Sequence, residues 1–302
     1  MKSYFLGANS RAGFFSLYDE FPPDGAYLHI IKGGPGTGKS TLLKTIAAAA
    51  EARGLEVQRV LCSGDPDSLD GVYVPALGSA WADGTAPHVL EPRLFGVTGD
   101  YLNMSDYLLR PFSEEERARL FSLQEEYRAL YGRVYALLSA CAELGGARCA
   151  EQSRGAWREH LGQVQGKSGK GTLQRRFRSA ITCKGLLRLK SEEPGYAVLT
   201  VSRDDLTGIR RDALGLGCRT IECLSPLDPA EPEAILLPEE RLCFQTQPQP
   251  AEASREALEQ AIRLLGEAKS LHDRIEQVYR PHMDFRRLSE DNQRMLEKLF
   301  PQ

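Results

Sequence analysis

Gly33, Gly38, Lys39 and Ser40 stand at the spacing G-x-x-x-x-G-K-[ST] inside the stretch Lys32-Gly33-Gly34-Pro35-Gly36-Thr37-Gly38-Lys39-Ser40-Thr41. This is the pattern of a loop that wraps a phosphate chain, the Walker A loop. Positions without side chains let successive backbone N–H groups curl round an anion, while the helix that follows presents its positive end. Lys39 then reaches the β and γ phosphates, and the Ser40 hydroxyl holds Mg2+. The expected ATP-binding segment is therefore Gly33, Gly34, Pro35, Gly36, Thr37, Gly38, Lys39, Ser40 and Thr41.

Such a loop works only between a strand and a helix. The apolar run Ala26 to Ile31 reads as the strand, and the Leu- and Ala-rich stretch closed by Gly54 reads as the helix. The metal also needs a second acid at the end of a neighbouring strand. Asp83 ends the moderately apolar run Ala76 to Ala82 and is the candidate; Asp83-Gly84-Thr85 is equally a turn signal, and both readings can hold together. Glu56 to Leu61 reads as the next strand, followed by a loop that carries Asp65 and Asp67. Loops at the carboxyl ends of parallel strands line the ligand crevice, so these acids are candidates to orient a water or an acceptor hydroxyl. Asx capping of a short turn is the plainer reading. His88 could face the same crevice, although a lone histidine is more often structural.

The 302 residues carry 38 Lys+Arg against 41 Asp+Glu, a net charge of −3, with 42% hydrophobic and 26% charged residues. These values fit an ordinary globular chain of about two domains. The near-neutral balance provides no long-range field for nucleic acid or anionic lipid, so neither direct nucleic-acid binding nor a membrane role is expected. The basic cluster Arg175-Arg176-Phe177-Arg178 is short and lies in a predicted strand. Seven scattered cysteines, none spaced C-x-x-C, argue against a disulfide framework and a zinc site. No stretch approaches the ~20 apolar residues of a bilayer span, and the N-terminus lacks a signal-peptide run, so a cytoplasmic location is expected.

The chain also matches itself. At a displacement of 172, Phe5, Ala8, Gly13 and Leu17 meet Phe177, Ala180, Gly185 and Leu189; at 161, Cys62, Asp67, Thr85 and Pro87 meet Cys223, Asp228, Thr246 and Pro248. At the intermediate displacement of 170, Thr37-Gly38 meets Thr207-Gly208, but Arg203, Ile209 and Arg210 replace Gly33, Lys39 and Ser40. Phe244 is expected opposite Asp83, and the nine residues lost between the displacements are expected to shorten the second helix. One competent site and one decayed copy follow. Ser113 to Leu144 and Ala251 to Phe300 read as long helical extensions. Gln165 to Gly171 reads as a linker, and its Gly166-Lys167-Ser168 lacks the strand a phosphate loop requires. The expected fold is α/β: tandem P-loop NTPase units, each a parallel sheet flanked by helices with a helical extension, at 1–165 and 172–302.

GFFSLYD at 13–19, KGGPGTGKST at 32–41, CSGDPDSLDGV at 62–72, ADGTAPH at 82–88 and AKSLHDRIEQVYRPHMDF at 268–285 resemble a bacterial family of tandem P-loop proteins. Its members are labelled ATPases or nucleotide-kinase-like proteins of unassigned role. The resemblance covers nearly the whole chain and implies two P-loop units, from which Arg203, Ile209 and Arg210 are a departure. It supplies no substrate.

The leading expectation is a Mg2+-dependent ATPase with one competent site acting as a conformational switch, in which Arg203, Arg210 or Arg211 could reach across as an arginine finger. A small-molecule or nucleotide kinase is the alternative, with Asp65 or Asp67 taking the acceptor's proton and helices 113–160 as a lid. A non-hydrolysing ATP sensor is the third. Partners beyond the nucleotide, whether another protein or a homo-oligomer, stay open. GTP is disfavoured because no [NT]-K-x-D motif is present.

Overall fold

The computed structural model describes residues 2–23, 25–144, 157–189, 195–246 and 252–301. The chain is mixed α/β, with six α-helices among the described residues. Its first half runs through β1 (Ser3–Tyr4), a hairpin of β2 (Gly7–Ser10) and β3 (Gly13–Ser16), β4 (Tyr27–Lys32), α1 (Lys39–Glu51), β5 (Gln58–Leu61), β6 (Leu69–Val74), β7 (Ser79–Asp83), β8 (Gly99–Asn103) and α2 (Glu114–Leu144). The second half contains α3 (Trp157–Gly162), β9 (Thr172–Arg176), a hairpin of β10 (Ser179–Thr182) and β11 (Gly185–Arg188), β12 (Ala197–Thr200), α4 (Arg203–Gly215), β13 (Arg219–Leu224), β14 (Pro232–Leu237), β15 (Leu242–Gln245), α5 (Glu252–Tyr279) and α6 (Phe285–Leu299).

The first sheet has the order β1-β5-β6-β7-β4-β8, and the second has the order β9-β13-β14-β15-β12. Both are mixed, which corrects the expectation of parallel sheets. In each, one strand opposes the rest: β6 pairs antiparallel with β5 and β7, and β14 pairs antiparallel with β13 and β15. The cause is connection length. Residues 75–78, a single 3-10 turn closed by Gly78 at φ 57°, join β6 to β7, whereas a parallel crossover takes a dozen residues or more. The remaining strands of each sheet run one way, so the loops after β4, β5 and β7 emerge from the same edge.

The two halves differ most where the second glycine loop was expected. Six residues, 33–38, separate β4 from α1, but only Val201 and Ser202 separate β12 from α4. The Ser202 hydroxyl accepts from the Asp205 amide and caps α4 directly. Both helices have 13 residues, so the second is not shortened; the deletion removes the loop itself and trims the helix-to-strand connection. Arg203 therefore opens a helix, Thr207-Gly208 lies inside it, and Ile209 is fully buried in its core-facing side. Strand register also corrects the partner of Asp83. Tyr27 pairs with Ser79 and Ala197 with Leu242, which sets Asp83 against Thr246 and not against Phe244.

The cores interlock across the halves. Tyr4, Phe5, Leu28, Ile30 and Ala82 share one cluster with Phe177, Ala180 and Leu224. At its centre Phe5 and Phe177 exchange both backbone N–H···O bonds, each at 2.9 Å. On the opposite face of the first sheet, Leu42, Leu43 and Ile46 of α1 pack with Trp81 and with Leu288 and Phe300 from the far end of the chain. α3 packs Trp157 and Leu161 against Leu206 and Ile209, so residues 157–162 join the second half's core.

α2 begins as its sequence suggests. The Ser113 hydroxyl accepts from the Glu116 amide at 3.1 Å, and Glu116 accepts from the Ser113 amide at 2.7 Å, a reciprocal cap. α2 and α5 lie along each other through Val134, Leu138, Ala261, Leu264 and Leu265. The helical extension expected from Ala251 to Phe300 is formed by α5 and α6, its first residue lying outside the described ones. Pro281, which has no N–H to continue a helix, sits in the 3-10 turn Arg280–His282 between them, and Asp284 caps α6. Residues 145–156, expected to belong to the first half's helical lid, lie outside the described residues.

Phe177→Ala removes a fully buried ring from the shared cluster. It is expected to cost about 3–5 kcal/mol of unfolding free energy in a urea titration, whereas an exposed Phe121→Ala control stays within about 0.5 kcal/mol.

Candidate functional site

The glycine loop leaves β4 after Lys32 and enters α1 at Lys39. Gly36 and Gly38 take φ values of +73° and +98°, left-handed conformations that side chains disfavour, and Gly38 is the N-cap of α1. The buried Thr37 ties the turn by donating to the Gly34 carbonyl at 2.8 Å. Thr85 braces its base: the hydroxyl donates to the Gly33 carbonyl at 2.8 Å and accepts from the Gly33 amide at 3.3 Å. Pro35 and Ser40 are half-buried, and Thr41 is exposed on the first turn of α1.

Lys39 turns back across this loop. Its ammonium donates to the carbonyls of Gly33 at 2.6 Å and Gly34 at 2.8 Å, and it lies 3.5 Å from Asp83 Oδ2. Asp83 ends β7 and pairs with Ile31 of the adjacent, parallel β4, so the acid stands where the loop leaves the sheet. Its other oxygen accepts from the Thr85 amide at 2.8 Å. The turn reading and the acid-at-the-loop reading of Asp83 thus describe one arrangement. The Ser40 hydroxyl accepts from the Leu69 amide at 3.0 Å, tying the start of α1 to β6.

Asp65 and Asp67 part company. Asp65 forms an Asx turn with the Asp67 amide and accepts from Ser68, and it also lies 3.6 Å from the Lys269 ammonium of α5. Asp67 is exposed and pairs with Lys184 in the turn between β10 and β11. That contact holds its carboxyl below the ordinary aspartate value. Both acids thus tie the first half to the second, Asp65 to α5 and Asp67 to the turn between β10 and β11.

His88 is packed in the interior and not in an open crevice. Its Nε2 lies 3.2 Å from Asp70 Oδ2, and its ring rests on Phe14 and Tyr18. Asp70 also accepts from the Tyr18 hydroxyl at 3.1 Å. Burial raises the Asp70 carboxyl, and the neighbouring charge of His88 opposes the rise. Sequence reasoning passed over Asp70; an acid inside the otherwise apolar strand Leu69–Val74 was the available signal.

The three candidate finger arginines are held within their own half. Arg203 pairs with Glu231, Arg210 with Glu222 at 2.7 Å, and Arg211 with the adjacent Asp212 at 2.9 Å. The basic cluster is equally committed: Arg175 pairs with Glu20, and Arg176 stacks its guanidinium 3.9 Å from the centre of the Tyr4 ring. The fully buried Arg178 reaches Glu233 at 3.1 Å.

The C-terminal helices cover the glycine loop, a feature with no local pattern in the sequence. A Cβ placed at Gly34 would lie 2.8 Å from the Tyr279 ring, one at Gly36 3.0 Å from the backbone of Glu276, and one at Gly38 3.0 Å from Leu288. The glycines therefore serve the close approach of α5 and α6 as well as the turn itself.

Asp70 is harder to ionise folded than unfolded, so the folded chain binds the extra proton. Its contribution to stability is present below the ordinary aspartate value of 3.8 and is lost as pH rises through the raised value. Asp70→Asn lacks this loss, so its stability relative to the parent is expected to climb as pH rises from about 4 and then level off, as read by thermal unfolding across pH. A gap independent of pH counts against the assignment. Compared with models of known protein families, with curated proteins and with solved structures, the chain matches none.

Proposed function

We propose that the chain is an ATP-binding protein, a Mg2+-dependent ATPase whose single competent site works as a conformational switch. The observation that carries the reading is the meeting of Lys39 and Asp83 at the mouth of a glycine loop, at the ends of two adjacent parallel strands. A loop of left-handed glycines capping a helix suits phosphate, and a lysine beside it suits the β and γ oxygens. On binding, Lys39 exchanges the carbonyls of Gly33 and Gly34 for phosphate oxygens, so the loop is released from its own lysine.

The donor set near Lys39 fits magnesium: a hydroxyl at Ser40 and a carboxylate at Asp83 are the hard oxygen ligands that this ion takes together with water and phosphate. Ser40 and Asp83 would hold it, and its charge would neutralise that of the phosphates. Asp83 keeps its place through Thr85 while Lys39 moves.

Two features favour a switch over phosphoryl transfer to a small molecule. α5 and α6 already rest on the loop, so nucleotide entry has to rearrange them, and α5 runs along α2. Asp67, one of the two acids expected to serve an acceptor, is drawn away to Lys184. The shared order and direction of five strands, β1-β5-β6-β7-β4 in the first sheet and β9-β13-β14-β15-β12 in the second, supports a duplicated P-loop unit, as the resemblance to tandem P-loop proteins implies; β8 has no counterpart among the described residues. The second copy, with β12 feeding straight into α4, has no loop to hold a nucleotide. Among the described residues no helix is long and apolar enough to cross a membrane.

Titration calorimetry with a non-hydrolysable ATP analogue and Mg2+ is expected to give one site per chain. Lys39→Ala should weaken it by tenfold or more, the loss of a charge-assisted contact worth roughly 1.5–3 kcal/mol. Two sites, or an affinity indifferent to Lys39, overturns the reading.

A further inference from the structure

The segment 268–285, singled out in the sequence and left without a role by the glycine loop alone, places four residues on one stripe of α5. Lys269, His272, Glu276 and Tyr279 are three or four positions apart, the spacing that aligns side chains along a helix. The stripe faces the nucleotide edge of the first sheet. Tyr279 meets Gly34, the backbone of Glu276 meets Gly36, and Lys269 lies 3.6 Å from Asp65 in the loop after β5. His272 lies between them, 3.6 Å from Glu276. The loops after β4 and β5 leave the same edge of the sheet with β7 and β6 between them, and α5 spans from one loop to the other, with Lys269 at the loop after β5.

We propose that Lys269 is the cation the second half supplies to the terminal phosphate of the bound triphosphate, in the place where Arg203, Arg210 and Arg211 were expected. This rests on the ATP-site reading above. The three arginines are occupied by acids of their own half, whereas Lys269 already reaches across the seam to Asp65. Its other partner is Asp273, one turn along α5, at 2.5 Å. Burial works against the charge, and Asp273 and Asp65 more than restore it, so the ammonium is held above the ordinary lysine value.

The chemistry is an exchange of anions. Without nucleotide, Lys269 rests between two carboxylates; a triphosphate seated on Gly33 to Lys39 extends a γ-phosphate from the loop that α5 covers, with a denser charge than Asp65. A diphosphate lacks that group, so Lys269 remains with Asp65. The lysine then reports whether the third phosphate is present, and α5, which carries it, transmits the report to α2.

The test uses the full chain and compares affinities for a non-hydrolysable ATP analogue and for ADP, both with Mg2+. Lys269→Gln is expected to weaken the ATP analogue by tenfold or more while leaving ADP within about twofold, and Lys269→Arg to restore the preference. A purely structural loss would weaken both nucleotides alike, and that result overturns the proposal. Unchanged analogue affinity in Lys269→Gln, beside a Lys39→Ala chain that no longer binds, also overturns it while leaving the ATP site standing. A parent chain that binds neither nucleotide removes both readings.

Discussion

The candidate site depends on β4 and β7 lying side by side and running in the same direction. Ile31 opposite Asp83 brings a carboxylate to the point where the glycine loop leaves the sheet, and Lys39 returns from α1 to meet it. The two side chains are 11% and 16% exposed, so water screens their attraction only in part. A slip of one residue in that register would turn Asp83 to the opposite face and leave the lysine facing its own carbonyls alone. The short turn at 75–78 sets how β7 lies against β6, and the parallel pairing of β7 with β4 brings Asp83 level with the loop.

The helices above the loop are held by the same economy of space. Gly34, Gly36 and Gly38 leave room for Tyr279, Glu276 and Leu288, and Leu288 belongs in turn to the core beneath α1. Any ligand entering this loop would thus meet the docked helices beside backbone atoms that cannot retreat. A closely packed interior responds to such competition by moving whole elements and not by yielding locally, which is how a small ligand can shift a long helix.

Much of the local structure is legible in residue types. Glycine spacing with an apolar run before it and alanines after it marks β4, the loop and α1, and the helical composition from Ser113 marks the start of α2 to within one residue. What eluded the sequence depends on distance along the chain. His88 is packed in the interior, as a lone histidine more often is, but the partners that close around it, Asp70 and Tyr18, come from other elements of the chain and are not marked in its local sequence. A short displacement of self-similarity cannot tell a lost loop from a shortened helix, since both delete residues between the same two strands; only the paired strands reveal which. The mixed sheets escaped notice because an antiparallel strand flanked by apolar partners has the same composition as a parallel one.

The reciprocal bonds between Phe5 and Phe177 have a geometric meaning. Two residues that each give and receive the same bond, one just beyond β1 and the other just beyond β9, corresponding end strands of the two sheets, straddle a local dyad. Points on such an axis stay put when the bodies it relates turn against each other, so swivelling about it preserves this pair whereas sliding or separation breaks it. The pair is not alone, however: the Arg11 amide donates to the Leu227 carbonyl and the Cys183 amide to the Gly64 carbonyl across the same boundary, so a swivel about it would have to break both.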